Sequence, residues 1–218
     1  MNGQIPGVNN GNGGNGDGDG GGGNGGGDGE EGERTRGAPP ARTAASGPGR
    51  VRVVAYDPRW PGLFELERDR LEAALGERAG AIEHVGGTAV PGLDAKPIVD
   101  LMLGLESLED GARCARLFEG VGYEQRGEAG VPGRIFLRKF TPYRYHLSLA
   151  PAGGEFWECH LLFRDYLRTH PATAREYARL KHELAGRYRY DREAYTEAKA
   201  GFVEAVVRRA KAARERGA

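Results

Sequence analysis

The sequence predicts an α/β domain of the α+β kind, in which a small mixed sheet has flanking helices and a helical C-terminal part. Three observations lead to it. Residues 97–103 are almost uninterruptedly apolar, as in a strand buried on both faces. Residues 134–140 and 144–150 read as strands joined by Thr141-Pro142-Tyr143, a tight hairpin connection. From Phe156 onward the spacing is helical, interrupted by His170-Pro171 and by Asp191, which supply stop and cap signals.

The remaining elements follow in order. Val51 to Ala55 is a short β-type run that leads into a turn over residues 56–61, where Trp60 would cap the sheet or the first helix. Leu63, Leu66, Leu71, Ala74 and Leu75 recur near helical spacing and predict a helix over 62–79. Ala81 to Val85 is a short strand that stops at Gly86-Gly87. Ser107 is the N-cap of a helix to Gly120 whose apolar side carries Leu108, Ala115, Leu117 and Phe118, and Gly122 ends it. Tyr123 to Arg126 is a further short strand, and helices are expected over 156–169, 172–188 and 192–216.

Residues 9–32 are nearly all Gly, Asn and Asp, with no apolar surface to offset the entropy lost on ordering, so residues 1–49 are expected to form a disordered tail and linker. The folded domain is placed at 50–213. Formal net charge is zero, with no concentrated basic region, so nucleic acid is not the expected partner. The sequence has no signal-peptide pattern and no run of eighteen apolar residues, which predicts a cytoplasmic protein without a membrane partner. Cys114 and Cys159 lack metal-type spacing and read as neutral thiols. No GxxxxGK[ST] phosphate loop is present, which excludes a kinase of that type.

The chemistry is concentrated between Gly86 and Asp100. Gly86, Gly87 and Thr88 follow a strand, where small residues let backbone N–H groups and a hydroxyl approach phosphate, although a plain turn would use the same residues. Asp100 is the one charge in its apolar strand and needs a partner, either a metal or an ion pair such as Lys96. Lys96 could equally neutralise a phosphate at the turn. His146 lies on a strand face shared with Ser148 and Ala150. Glu158 could supply a second carboxylate. His160, Arg164 and Arg168 recur on one helical face that could meet phosphate, with Arg168 read as solvated. Lys199 reads as decoration of the last helix.

The phrases VVAYDPRWP, IEHVGGTAVPGLDAKPIVDLML, HLLFRDYLRTHP, EYARLKHELAGRY and DREAYTEAK, in this order over residues 51–210, resemble the GrpB family, also called UPF0157. That family is similar to nucleotidyltransferases. The resemblance implies phosphate or nucleotide at Gly86, Gly87, Thr88, Lys96, His160 and Arg164, and Mg²⁺ or Mn²⁺ on Asp100. It also implies Asp100, His146 and Glu158 as the groups that would carry nucleotidyl transfer.

Two departures weaken catalysis. Met102 stands where a working nucleotidyltransferase has its second strand carboxylate, and Ser148 stands where many relatives have a second histidine. The rival expectation is a non-catalytic ligand-binding or folding and regulatory module, related to domains fused to dephospho-coenzyme A kinases.

Overall fold

The computed structural model describes residues 50–76 and 80–217. The expected tail over 1–49 and the last residues of the helix expected to reach Ala79 lie outside the described residues. Residues 51–55 do not form a strand. They touch the fold through a single antiparallel bridge, Val54 to Ala95, and through Val51 N–H donating to Arg189 C=O at 2.8 Å.

Helix α1 spans Trp60–Leu75, so the expected turn at Trp60-Pro61 is the helix start. Pro61 sits in the first turn, where a missing N–H costs nothing. Trp60 is buried and meets Tyr56 edge to face at 5.4 Å. Helix α2 spans Leu108–Glu119, and Ser107 Oγ accepts from Asp110 N–H at 3.2 Å as its N-cap. Its buried face is Gly111, Cys114, Ala115 and Phe118. Leu108 and Leu117 are 36% and 38% exposed, because the three- and four-residue spacing that faces the sheet passes between them.

Five strands form one mixed sheet: β1 Ile82–Val85, β2 Val99–Leu105, β3 Glu124–Gln125, β4 Ile135–Lys139 and β5 Tyr145–Pro151. The order is β1-β2-β5-β4-β3, with β2 and β5 parallel and every other pair antiparallel. Alternation along the strands gives the sheet two unlike faces. One carries Leu101, Leu103, Tyr145, Leu147 and Leu149 and packs with α1 and α2 in the main core. The other carries Asp100, Met102, His146, Ser148 and Phe136, in register across β2, β5 and β4.

Helix α3, Glu155–Thr169, covers part of this second face: Phe156 and Trp157 pack on Val85, Met102 and Ala150. Helix α4 spans Pro171–Arg187. The single helix expected over 192–216 is broken into α5, Arg192–Glu197, and α6, Ala200–Gly217. At the break Lys199 N–H bonds three residues back, to Thr196 C=O, which tightens the turn and carries the lysine inward. No described helix is long and apolar enough to cross a membrane.

Candidate functional site

Strand register places Asp100 beside His146, and His146 Nδ1 lies 3.1 Å from Asp100 Oδ1. With a carboxylate as acceptor, Nδ1 carries the proton and Nε2 keeps its lone pair. Burial lowers the pKa of His146 while Asp100 opposes the shift, and the ring stands edge to face with Phe136 at 5.1 Å.

These residues line a narrow cleft that encloses about 10 Å³ and opens to solvent, together with Arg134, Ser148, Phe156 and His160. His160 comes from α3, one helical turn beyond Phe156. Its Nδ1–H donates to Phe156 C=O at 2.8 Å, and burial holds its pKa down at about 4, so this imidazole is neutral.

Arg134 was not singled out in the sequence. It is 3% exposed, donates to Ser148 Oγ at 3.3 Å and to Glu128 C=O at 3.2 Å, and lies over Phe136. Burial lowers its pKa to about 10 against the opposing charge of Asp100, so it remains a cation at neutral pH. Ser148, in the place of a second histidine, is therefore what seats a guanidinium in the cleft.

The glycine turn lies at the end of β1. Gly86 has φ 73°, a conformation that favours glycine. A Cβ on Gly87 would lie 2.9 Å from the Ala95 side chain and 3.2 Å from Lys181 Nζ, so the turn sits hard against β2's entry loop and α4. Thr88 is turned inward: it is 1% exposed, with its hydroxyl 3.0 Å from His84 Nε2. His84 stacks on Phe64 at 4.7 Å, and burial lowers its pKa to about 4. Thr88 thus props the turn. Arg168, expected to be solvated, donates to Ala89 C=O at 2.9 Å and closes the turn's far end.

Three lysines lie near one another, Lys181 at this turn and Lys96 and Lys199 at the Tyr195 ring. Lys181 of α4 is 4% exposed, donates to Asp94 C=O and lies 4.6 Å from the Tyr177 ring centroid. Lys199 is 2% exposed and its ammonium makes no hydrogen bond among the described residues, Nζ lying 4.5 Å from the centroid of Tyr195. Lys96 Nζ reaches the same ring at 5.7 Å.

Burial lowers all three pKa values, to about 7 for Lys181, and repulsion from Lys96 adds to the fall for the other two. The Asp100 charge opposes the fall at Lys96 and Lys199. The charge of one carboxylate, Asp100, therefore acts on Lys96, Lys199 and Arg134 together.

Two expected site residues face elsewhere. Glu158 lies on the side of α3 turned to α6, where Arg214 Nη1 reaches it at 3.3 Å, and it does not line the Asp100 cleft. The reason is helical geometry: the face of Phe156 and His160 meets the sheet, and Glu158 projects away from it. Arg164 is 8% exposed and clamps α3 to β1, with Nη1 2.5 Å from Glu83 Oε2 and 3.1 Å from His84 C=O, while Nε binds Asp165. Glu83 is the acidic residue beside Met102 in register, and Arg164 holds it. Among the described residues, no group of three or more His, Cys, Asp or Glu could hold a metal ion.

The family model described as GrpB protein matches residues 50–209. The chain belongs to the GrpB family. It is 43% identical to a UPF0157 protein of Pseudomonas aeruginosa, over 75% of this chain and 69% of that one. The crystal structure of a conserved protein GrpB from Enterococcus faecalis is similar at TM-score 0.67 and 36% identity, covering 73% of this chain and 96% of that one. A dephospho-CoA kinase of Mycolicibacterium paratuberculosis matches more distantly, at 27% identity over 73% of this chain and only 46% of the kinase.

Within this GrpB-family fold, the phrases quoted for the resemblance supply Gly86, Gly87, Lys96 and Asp100, and also Lys181 and Lys199. Arg134, beside the start of β4, lies outside those phrases.

Proposed function

We propose that the protein binds a nucleotide or another phosphorylated small molecule, with phosphoryl groups at the Gly86-Gly87 turn and its lysines, and with Asp100 at the centre. The observation that supports this most is that Lys181 stands at the turn while Lys96 and Lys199 share the Tyr195 ring close enough to feel its charge and that of Asp100. Buried ammonium groups that repel one another are costly unless an anion joins them.

Asp100 fits a divalent ion that arrives with phosphates, since Mg²⁺ is commonly held by one or two carboxylates and completed by phosphate oxygens and water. It does not fit a protein-held metal pair. Mg²⁺ or Mn²⁺ on Asp100 would neutralise charge on a phosphoryl group. His146, neutral and oriented by Asp100, presents Nε2 as a base for an acceptor hydroxyl, which is the role nucleotidyl transfer would need.

The second reading is a non-catalytic binding module. It is favoured by the pairing of Glu83, the acid beside Met102 in register, with Arg164. The partial likeness to a dephospho-CoA kinase is compatible with such a module serving a partner enzyme.

Melting temperature should be followed with nucleoside triphosphates and phosphates, with and without Mg²⁺, because a ligand that binds only the native state raises stability. Wild type should gain several degrees with at least one triphosphate. Lys199→Met should lose that gain, and Asp100→Asn should lose its Mg²⁺-dependent part. No shift across the panel, or equal shifts in all three proteins, contradicts the proposal. Pyrophosphate release in the presence of an acceptor would then separate transfer from binding.

A further inference from the structure

A second basic pocket opens at the entrance of β2 and β5, on the outer side of Lys96. It encloses about 40 Å³, opens to solvent, and is lined by Arg50, Val51, Arg52, Lys96, Pro97, Ile98, Arg144 and Arg192. Five of these eight residues are cationic and none is acidic. Arg50, Arg52, Arg144 and Arg192 make no ion pair with a carboxylate among the described residues. Arg59, Arg68, Arg70, Arg113, Arg126, Arg138, Arg164, Arg168 and Arg214 each have, by contrast, an acidic partner within 4.0 Å. What sets this pocket apart is that five cations share one lining that holds no carboxylate.

The pocket is built by the fold. Val51 N–H bonds Arg189 C=O at 2.8 Å and the Val51 side chain packs on Leu184 and Tyr195, which fixes the strap that carries Arg50 and Arg52. Val99 N–H bonds Arg144 C=O at 3.0 Å, which fixes Arg144 beside the β2 entrance, and its guanidinium lies 5.3 Å from the Phe140 ring centroid. Arg192 opens α5, and its charge helps lower the pKa of Lys96. Arg144 and Arg192 are half-buried, whereas Arg50 and Arg52 stand at the exposed rim.

We infer that this pocket is a phosphoryl-binding site in its own right, for a diphosphate-type anion. Several guanidinium groups converging without carboxylates match the forked, bidentate recognition of phosphate oxygens. The apolar walls, Val51, Pro97 and Ile98, offer no aromatic face to a base, so the recognised part is the anion itself. The site does not rest on the reading of the Asp100 cleft, and Lys96 is the one cation that lies between the two.

Calorimetric titration of the full chain with pyrophosphate at near-physiological salt tests it, with citrate as a polyanion of similar charge. Wild type should bind pyrophosphate, and Arg144→Gln/Arg192→Gln should lose a class of binding by ~tenfold or more. Arg52→Gln, a change at an exposed position that does not threaten folding, should weaken the same class. Lys199→Met reports separately on the lysine site and should leave the arginine class intact. Binding within twofold of wild type in both arginine variants overturns the inference, as does equal binding of citrate, which would mark unspecific charge attraction. Loss in the arginine variants with no effect of Lys199→Met supports the pocket and counts against the lysine site.

Discussion

Lys181 concentrates the physical argument at the residue scale. Its ammonium is buried, bonded to one carbonyl, faced by Tyr177 and repelled by Lys96, and its pKa falls to about 7. A lysine that titrates at about 7 when folded and at its ordinary 10.5 when unfolded binds fewer protons in the folded state. Its contribution to stability is therefore full above 10.5 and is lost as pH falls towards 7. Without phosphate, stability should rise between pH 7 and 10 by on the order of 1 kcal/mol per pH unit from this residue, and Lys181→Met should flatten the rise. Urea unfolding at several pH values measures this. An equally steep rise in the variant would assign it to other groups.

Lys181 also marks where reading the sequence stopped. Gly86, Gly87, Lys96 and Asp100 are close along the chain, and their residue types alone suggest phosphate and metal. Lys181 touches Asp94 from 87 positions away, on a helix for which the sequence predicts only the span. Nothing local in sequence tells an inward lysine from an outward one. Thr88 erred in the opposite sense, because its hydroxyl is satisfied by His84, a residue with no visible tie to it in sequence.

At the element scale, the two faces of the sheet are held differently. The α1–α2 face is mainly apolar, but besides His84 it holds a buried pair, Glu67 on α1 and Lys139 on β4, at 2.8 Å, with Arg70 3.1 Å from the other carboxylate oxygen. Glu67 is fully buried, and Lys139 Nζ lies 5.4 Å from the ring centroid of Tyr123. Lys139→Met should cost ~3 kcal/mol in denaturant unfolding, because it leaves a buried carboxylate with only Arg70. Adding Glu67→Gln should recover part of that loss. A neutral single variant would mean that the pair does not pin α1 to the sheet.

The element pattern was largely legible. Strand β2, the hairpin and the Ser107 cap follow from apolar runs, turn residues and capping chemistry. The failures share a cause. The break at Lys199, the helical role of Trp60-Pro61 and the exposure of Leu108 and Leu117 are set by which surface the sheet offers, and local periodicity does not contain that information.

For the whole molecule, neutral histidines buried on both faces of the sheet make acid the vulnerable direction. His84 and His160 are buried neutral, each with a pKa lowered to about 4 chiefly by burial, against 6.5 unfolded. Stability from these groups is full above 6.5 and is lost as pH falls towards 4. Melting temperature should therefore drop across this window, and His160→Asn should lessen the drop. A melting temperature constant from pH 6.5 to 4 would contradict the burial of these rings.

The same organisation unites the two sites. The fold buries cations whose charge meets that of Asp100 and opens a further basic pocket, with Lys96 common to both, at the β2 entrance.

The central claim is that the buried lysines await an anion, and proton uptake tests it most directly. Calorimetric titration of the protein at pH 8 with a triphosphate, in two buffers of different ionisation enthalpy, should show protons taken up as the lysines are recharged by the ligand. The uptake should shrink in Lys181→Met and Lys199→Met. Binding with no buffer dependence, or uptake unchanged in both variants, would place the ligand away from the lysines and contradict the account.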